Sequence, residues 1–111
     1  MAAFTDHSLV VSTTAGQVRG ARDGLTNRWL GVPYAAAPVG PLRFRSPQPS
    51  VPWEGIRDAL QLGPAAPQEP TKVIPLPPGV TISEDCLELN IWAPERVEND
   101  HRPRPVMVWV H

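Results

Sequence analysis

The sequence predicts a strand-and-loop portion of a larger α/β fold, and three observations predict it. The run Val106–Val110 (VMVWV) has no polar residue at any position. That is the pattern of a strand covered on both faces in a mostly parallel sheet. Fifteen of the 111 residues are proline, and proline removes a backbone donor and breaks helices. No proline-free stretch of roughly ten residues joins helical apolar spacing to helix caps. A complete α/β domain alternates strands with helices. Residues 1–111 therefore read as part of a domain with an incomplete sheet, and no complete domain is expected.

The elements follow in order along the chain. In "SLVVSTTAGQVRGARDG" two short β runs, Leu9–Thr13 and Gln17–Ala21, are joined through Ala15-Gly16 and predict a hairpin. "RWLGVPYA" is a third extended piece. Pro38 to Pro52, "PVGPLRFRSPQPSVP", is so rich in proline that it predicts an ordered irregular loop or a polyproline-like connector. "PWEGIRDALQLG" allows one extended piece or one turn of helix, and "PAAPQEPTKVIPLPPGVTI" is loop. "SEDCLELNIWAP" carries the next strand, Leu87–Ala93, and a polar connection from Pro94 to Pro105 leads to the last one, Val106–Val110. Those two strands pair as antiparallel neighbours or lie apart in one sheet; spacing alone allows both.

Composition excludes several classes of function. Ten basic side chains balance eleven acidic ones, for a net charge of −1. Lys72 is the single lysine, and the arginines are scattered. Neither nucleic acid nor an anionic membrane is an expected partner, because both need a basic surface. No apolar run is long enough to cross a bilayer. "MAAFTDHSLVV" has no basic start and no apolar stretch of the kind a secretory signal needs. A lone cysteine, Cys86, leaves no intrachain disulfide, so a reducing, cytoplasmic setting is expected.

Residue chemistry alone points to no catalytic group. None of Ser8, Ser12, Ser46, Ser50 and Ser83 has glycine at both −2 and +2, and a serine without a base and an exposing turn is a weak nucleophile. Glu84 and Asp85 are sequence neighbours, which in a strand point to opposite faces and do not share one site. Cys86 has no basic residue nearer than Arg96 and reads as an inert, buried thiol. Trp29, Trp53, Trp92 and Trp109 lie in separate blocks without basic interleaving, so core packing is expected rather than a stacking surface. "PQEP", "PSVP" and "PLPP" read as loop stiffeners rather than polyproline ligands. His7 and His101 have no metal-ligand spacing, and no metal or cofactor is expected.

Three stretches in order carry a resemblance. "RWLGVPYAAAPVGPLRFRSPQP", "SEDCLELNIWAP" and "PVMVWVH" resemble, block by block, the type-B carboxylesterase/lipase family, of the kind that includes bacterial para-nitrobenzyl esterases. The resemblance runs from Thr14 to His111. It implies the N-terminal, β-rich portion of an α/β-hydrolase fold and an ester hydrolase working through a serine acyl-enzyme on a small neutral ester. The family's serine, acid and histidine match no residue of this chain and are expected downstream. Each donor of the family's oxyanion hole contributes roughly a hundred- to thousandfold in rate. By this resemblance His111 corresponds to the start of the loop that supplies those donors, as a positioning residue; read from the residues alone it is a solvated histidine at the end of the chain. The resemblance also implies a structural ion pair between Arg43 and Glu84, which would pin the proline-rich loop to the sheet edge.

Departures from the family pattern narrow the reading. "GPAAPQ" has Ala66 where secreted relatives place a cysteine paired with the one in the second block, so that bridge is missing. Pro67 to Asp85 holds no Trp, Tyr or Phe, which disfavours a cation–π site for a quaternary ammonium substrate. Ala36, Ala37 and Glu88 also differ from the residues common at their places. The expectation is that residues 1–111 alone do not hydrolyse esters and need the remaining C-terminal part of the same enzyme. The alternatives are an esterase-like binding or adhesion protein without chemistry, a truncated gene remnant, or a small proline-rich interaction module.

Overall fold

The computed structural model describes residues 9–69, 71, 73–95 and 100–111. His7, Lys72 and Arg96 fall outside the described residues. Six strands form two partial sheets: β1 (Val10–Ser12), β2 (Gln17–Arg19), β3 (Ala21–Asp23), β4 (Thr26–Pro33), β5 (Ile56–Asp58) and β6 (Glu88–Pro94). The first sheet has the order β1-β2-β5 and the second β3-β4-β6. The described residues include a 3₁₀ turn at Gly40–Leu42, with Pro41 in its first turn.

The predicted hairpin forms. β1 and β2 pair antiparallel with Val11 opposite Val18. Thr13 holds the turn, since its Oγ1 donates to the Gly16 carbonyl at 2.8 Å and accepts from the Ala15 and Gly16 amides at 3.2 Å. The second run does not continue to Ala21 as one strand. It breaks at Gly20, and the chain passes from one sheet to the other. A side chain at Gly20 would meet the Trp29 indole nitrogen at 2.7 Å, so this crossing point requires glycine. "PWEGIRDALQLG" resolves to a strand: β5 lies parallel to β2, with Val18 opposite Arg57.

The two sheets share a small core. Val18, Val32 and Ala59 are buried, and Trp29 and Trp53 pack against them. Each of these two indoles also hydrogen-bonds backbone, Trp29 Nε1 donating to the Leu9 carbonyl and Trp53 Nε1 to the Gln17 carbonyl, both at 2.9 Å. A buried indole N–H needs such a partner. Backbone at Ala59 joins the layers: its N–H donates to the Arg19 carbonyl and its carbonyl accepts from Leu30 N–H, both at 2.8 Å.

Two expectations are corrected. Val106–Val110 forms no strand; residues 100–111 are without helix or strand, and Trp109 is 85% exposed. Apolar composition gives strand propensity, but a strand needs a partner ladder, and no described residue offers one there. Likewise only Trp29 and Trp53 pack on the core, while Trp92 is exposed on the open face of β6. The radius of gyration is 16.0 Å, against about 13 Å for a compact domain of this length.

Val18 is 3% exposed and Val11, its partner across the hairpin, 44%. Val18→Ala is expected to cost about 2 kcal/mol, the transfer of two methyl groups plus an unfilled cavity. Val11→Ala should cost less than about 0.5 kcal/mol. Urea unfolding followed by tryptophan fluorescence measures both.

Candidate functional site

The cleft that stands out is made by a break in a ladder. β4 and β6 pair antiparallel from Thr26↔Pro94 to Pro33↔Glu88, but the register shifts between Trp29 and Val32. The two residues in the bulge find partners elsewhere. Leu30 N–H donates to Ala59 in the neighbouring segment, and Gly31 N–H donates to Asn90 Oδ1 at 2.9 Å. A bulge bends its strand and opens the ladder locally. Here it leaves a cleft of about 330 Å³ lined by Leu30, Gly31, Arg57, Leu60, Gly63 and Glu88, among others.

Glu88 shares this cleft with three other polar side chains, Arg57, Asp58 and Gln61. Its side chain is 14% exposed, and Oε1 faces Arg57 Nη2 at 3.8 Å. Oε2 is buried and has no hydrogen-bond partner among the described residues. It rests against backbone: a Cβ at Gly63 would overlap Oε2, and one at Gly31 would lie 3.4 Å from it. Burial raises the Glu88 carboxyl above its usual value of 4.5, Arg57 works against that rise and Asp85 adds to it. Arg57 lies over the Trp53 ring at 5.4 Å. Its neighbour Asp58 accepts from Arg19 Nε at 2.8 Å across the β2–β5 pair. The lining contains no serine, threonine, cysteine or histidine; its polar groups are the Glu88 and Asp58 carboxylates, the Gln61 amide and the Arg57 guanidinium, so this cleft supplies no hydroxyl, thiol or imidazole.

The residues singled out from the sequence lie elsewhere. Arg43 and Glu84 are in contact, Arg43 Nε donating to Glu84 Oε1 at 2.6 Å. Their side chains are 54% and 45% exposed, which limits such a pair to roughly 0–1 kcal/mol. The contact nevertheless ties the proline-rich loop to the segment entering β6 across 41 residues. Next to it, Phe44 has φ 56°, in the left-handed region that non-glycine residues rarely occupy, and Arg43 stands 5.4 Å from its ring. Glu84 and Asp85 lie in a bend and loop before β6 rather than in a strand, so strand alternation does not separate them. Cys86 is half-buried and free, not fully enclosed. His111 is exposed on the unpaired segment. Among the described residues, no group of three or more His, Cys, Asp or Glu side chains could hold a metal, and no helix is long and apolar enough to cross a membrane.

The sequence signal for the cleft was a single charged residue, Glu88, at the start of an otherwise mostly apolar strand. It marked a departure from a pattern, but nothing local said that Gly31 and Gly63 would close around it.

Fold and motifs together define a class. The chain belongs to the carboxylesterase family, whose pattern matches residues 7–111. It is 45% identical to mouse carboxylesterase 3B over 91% of this chain and 20% of that protein. It is 40% identical to a phenmedipham hydrolase of Pseudarthrobacter oxydans, over 92% of this chain and 21% of that enzyme. With para-nitrobenzyl esterase of Bacillus subtilis the identity is 38%, over 92% and 20%. A solved structure of PNB esterase superposes on 77% of this chain and 16% of its own, with a TM-score of 0.66 and 40% identity. The described residues are thus a strand-rich portion of an α/β-hydrolase fold, and the chain spans about a fifth of the length of these relatives.

Gly63→Ala is expected to destabilise the chain by about 1–3 kcal/mol, because the new methyl and the Glu88 carboxyl claim one volume. In a Glu88→Ala background the same change should cost well under half as much. A double-mutant cycle in urea measures this coupling.

Proposed function

We propose that this chain forms the strand-rich frame of a serine carboxylesterase acting on small neutral esters, and that residues 1–111 alone do not carry out the reaction. The family match over residues 7–111 carries this reading. The relatives it matches are named as a carboxylesterase, a phenmedipham hydrolase and a para-nitrobenzyl esterase, all hydrolases by name. Such a reaction runs by attack of a serine on the carbonyl, transfer of its proton to histidine, and water attack on the acyl-enzyme. No serine of this chain stands in a Gly-x-Ser-x-Gly elbow. We assign the nucleophile, base and acid to the remaining four fifths of the enzyme, with His111 at the start of the oxyanion loop.

The substrate class follows from side-chain chemistry. The Pro67 to Asp85 loop has no aromatic ring to face a quaternary ammonium group, which favours neutral esters. Cys86 has no cysteine partner in the sequence, which suits a reducing cytoplasm. Arg43 and Glu84 act in this reading as a brace for the loop and take no part in proton transfer.

Two assays test the proposal. Purified 1–111 should hydrolyse p-nitrophenyl acetate no faster than buffer; saturable turnover that vanishes on unfolding contradicts the second half. Grafted in place of the matching fifth of the Bacillus subtilis esterase, the chain should yield an active ester hydrolase. A soluble, folded chimera without activity contradicts the first half.

A further inference from the structure

One buried carboxylate is only half satisfied: Glu88 Oε1 faces Arg57 at 3.8 Å, and Oε2 has no hydrogen-bond partner among the described residues. Glu88 Oε2 lies at the bottom of the bulge cleft without a donor, pressed on the backbone of Gly63 and beside Gly31. An ionised carboxylate oxygen in that position has lost its water and gained nothing in return. The charged groups around it are few. β5 contributes Arg57, 3.8 Å from Oε1, and Asp58, which is engaged by Arg19. The chain entering β6 contributes Asp85. From Leu30 to Pro33 β4 contributes none, and the facing segment Leu60-Gln61-Leu62-Gly63 is uncharged. Arg28 of β4 sits opposite Trp92, four residues along β6.

We propose that Glu88 is a proton-operated clasp, whose neutral carboxyl seats the Gln61–Gly63 backbone against the β4 bulge and whose ionisation loosens that seat. The neutral form suits the geometry in two ways. It removes the charge from an oxygen packed on Cα hydrogens. It also turns an unsatisfied acceptor into a donor in a cleft that holds a backbone carbonyl: the Gln61 carbonyl, the Gly63 amide nitrogen and Glu88 Oε2 stand 2.8, 3.3 and 3.4 Å from the position a Gly31 Cβ would take. The closure matters beyond the cleft, because the Leu30↔Leu60 bridge next to it belongs to the seam between the sheets.

The direction of the pH effect follows. Desolvation holds the folded carboxyl above 4.5, so the folded chain binds this proton more tightly than the unfolded chain. The stabilising effect is complete below about pH 4.5 and is lost as the pH rises through the raised folded value. Other carboxylates also titrate there, and a comparison with Glu88→Gln cancels them.

The test is urea unfolding of the 111-residue chain and of Glu88→Gln, stepwise from pH 4 to pH 8, read by tryptophan fluorescence. The two midpoints should nearly coincide at pH 4 and separate as the pH rises, with Glu88→Gln the more resistant at pH 7. A constant offset, or a less resistant Glu88→Gln at pH 7, overturns the proposal. Should the variant fail to fold, ¹³C-carboxyl NMR of the wild-type chain decides. With Glu88 as the carboxyl proposed to hold its proton, one glutamate signal should titrate above 4.5; all glutamates titrating at or below 4.5 overturns it.

Discussion

The structure depends on the backbone of one small residue. Ala59 is 1% exposed, and its peptide groups serve both sheets: the N–H goes to Arg19 at the end of β2, and the carbonyl receives Leu30 N–H from β4. Two three-stranded sheets would each be marginal alone. Joined at Ala59, they bury Val18 and Val32 on a common seam. A larger side chain has no room there, and the seam sets where everything else stands. Trp29 and Trp53 flank it: the Trp29 indole of β4 donates across to the Leu9 carbonyl just before β1, and the Trp53 indole, just before β5, donates to the Gln17 carbonyl of β2 in its own sheet.

The same seam explains the cleft. Leu30 turns its amide toward Ala59 and so leaves the β4–β6 ladder. The bulge that results exposes Gly31, and Asn90 from β6 satisfies the freed amide. Glu88 enters the opening two residues earlier on β6 and finds backbone where it would find water. A join between sheets, a bulge, and a buried carboxylate are thus one chain of cause. Two of the stretches that resemble the esterase motifs supply it, through Leu30, Gly31, Glu88 and Asn90, while Arg43 and Glu84 of the same stretches brace the proline-rich loop and His111 lies on the exposed end.

Much of this was legible in the sequence, and the rest was not, for physical reasons. The β1–β2 hairpin was readable because its turn chemistry is local: Thr13 and Gly16 carry it. β4 and β6 were readable from β-branched and aromatic runs bounded by turns. The parallel pairing of β2 with β5 was not, because 36 residues separate Gln17 from the Trp53 indole that docks on it, and no local pattern records that distance. The break at Gly20 depended on Trp29 crossing overhead. Val106–Val110 has a strand's composition, yet pairing belongs to two segments and not to one. The cleft was hidden for the same reason: Glu88 could be seen as unusual, but Gly31 and Gly63 meet it only through the bulge. Family resemblance supplied what spacing could not, the placing of Arg43 near Glu84.

The most direct test of this account is amide hydrogen exchange, resolved by residue, on the 111-residue chain near neutral pH. If the seam at Ala59 organises both sheets, the amides of Ala59 and Leu30 exchange slowest and with one common rate, since they open only when the sheets part. Val106 to Val110 exchange at the rate of an unprotected chain. Fast exchange at Ala59 with slow exchange confined to one sheet, or slow exchange across Val106 to Val110, would contradict it.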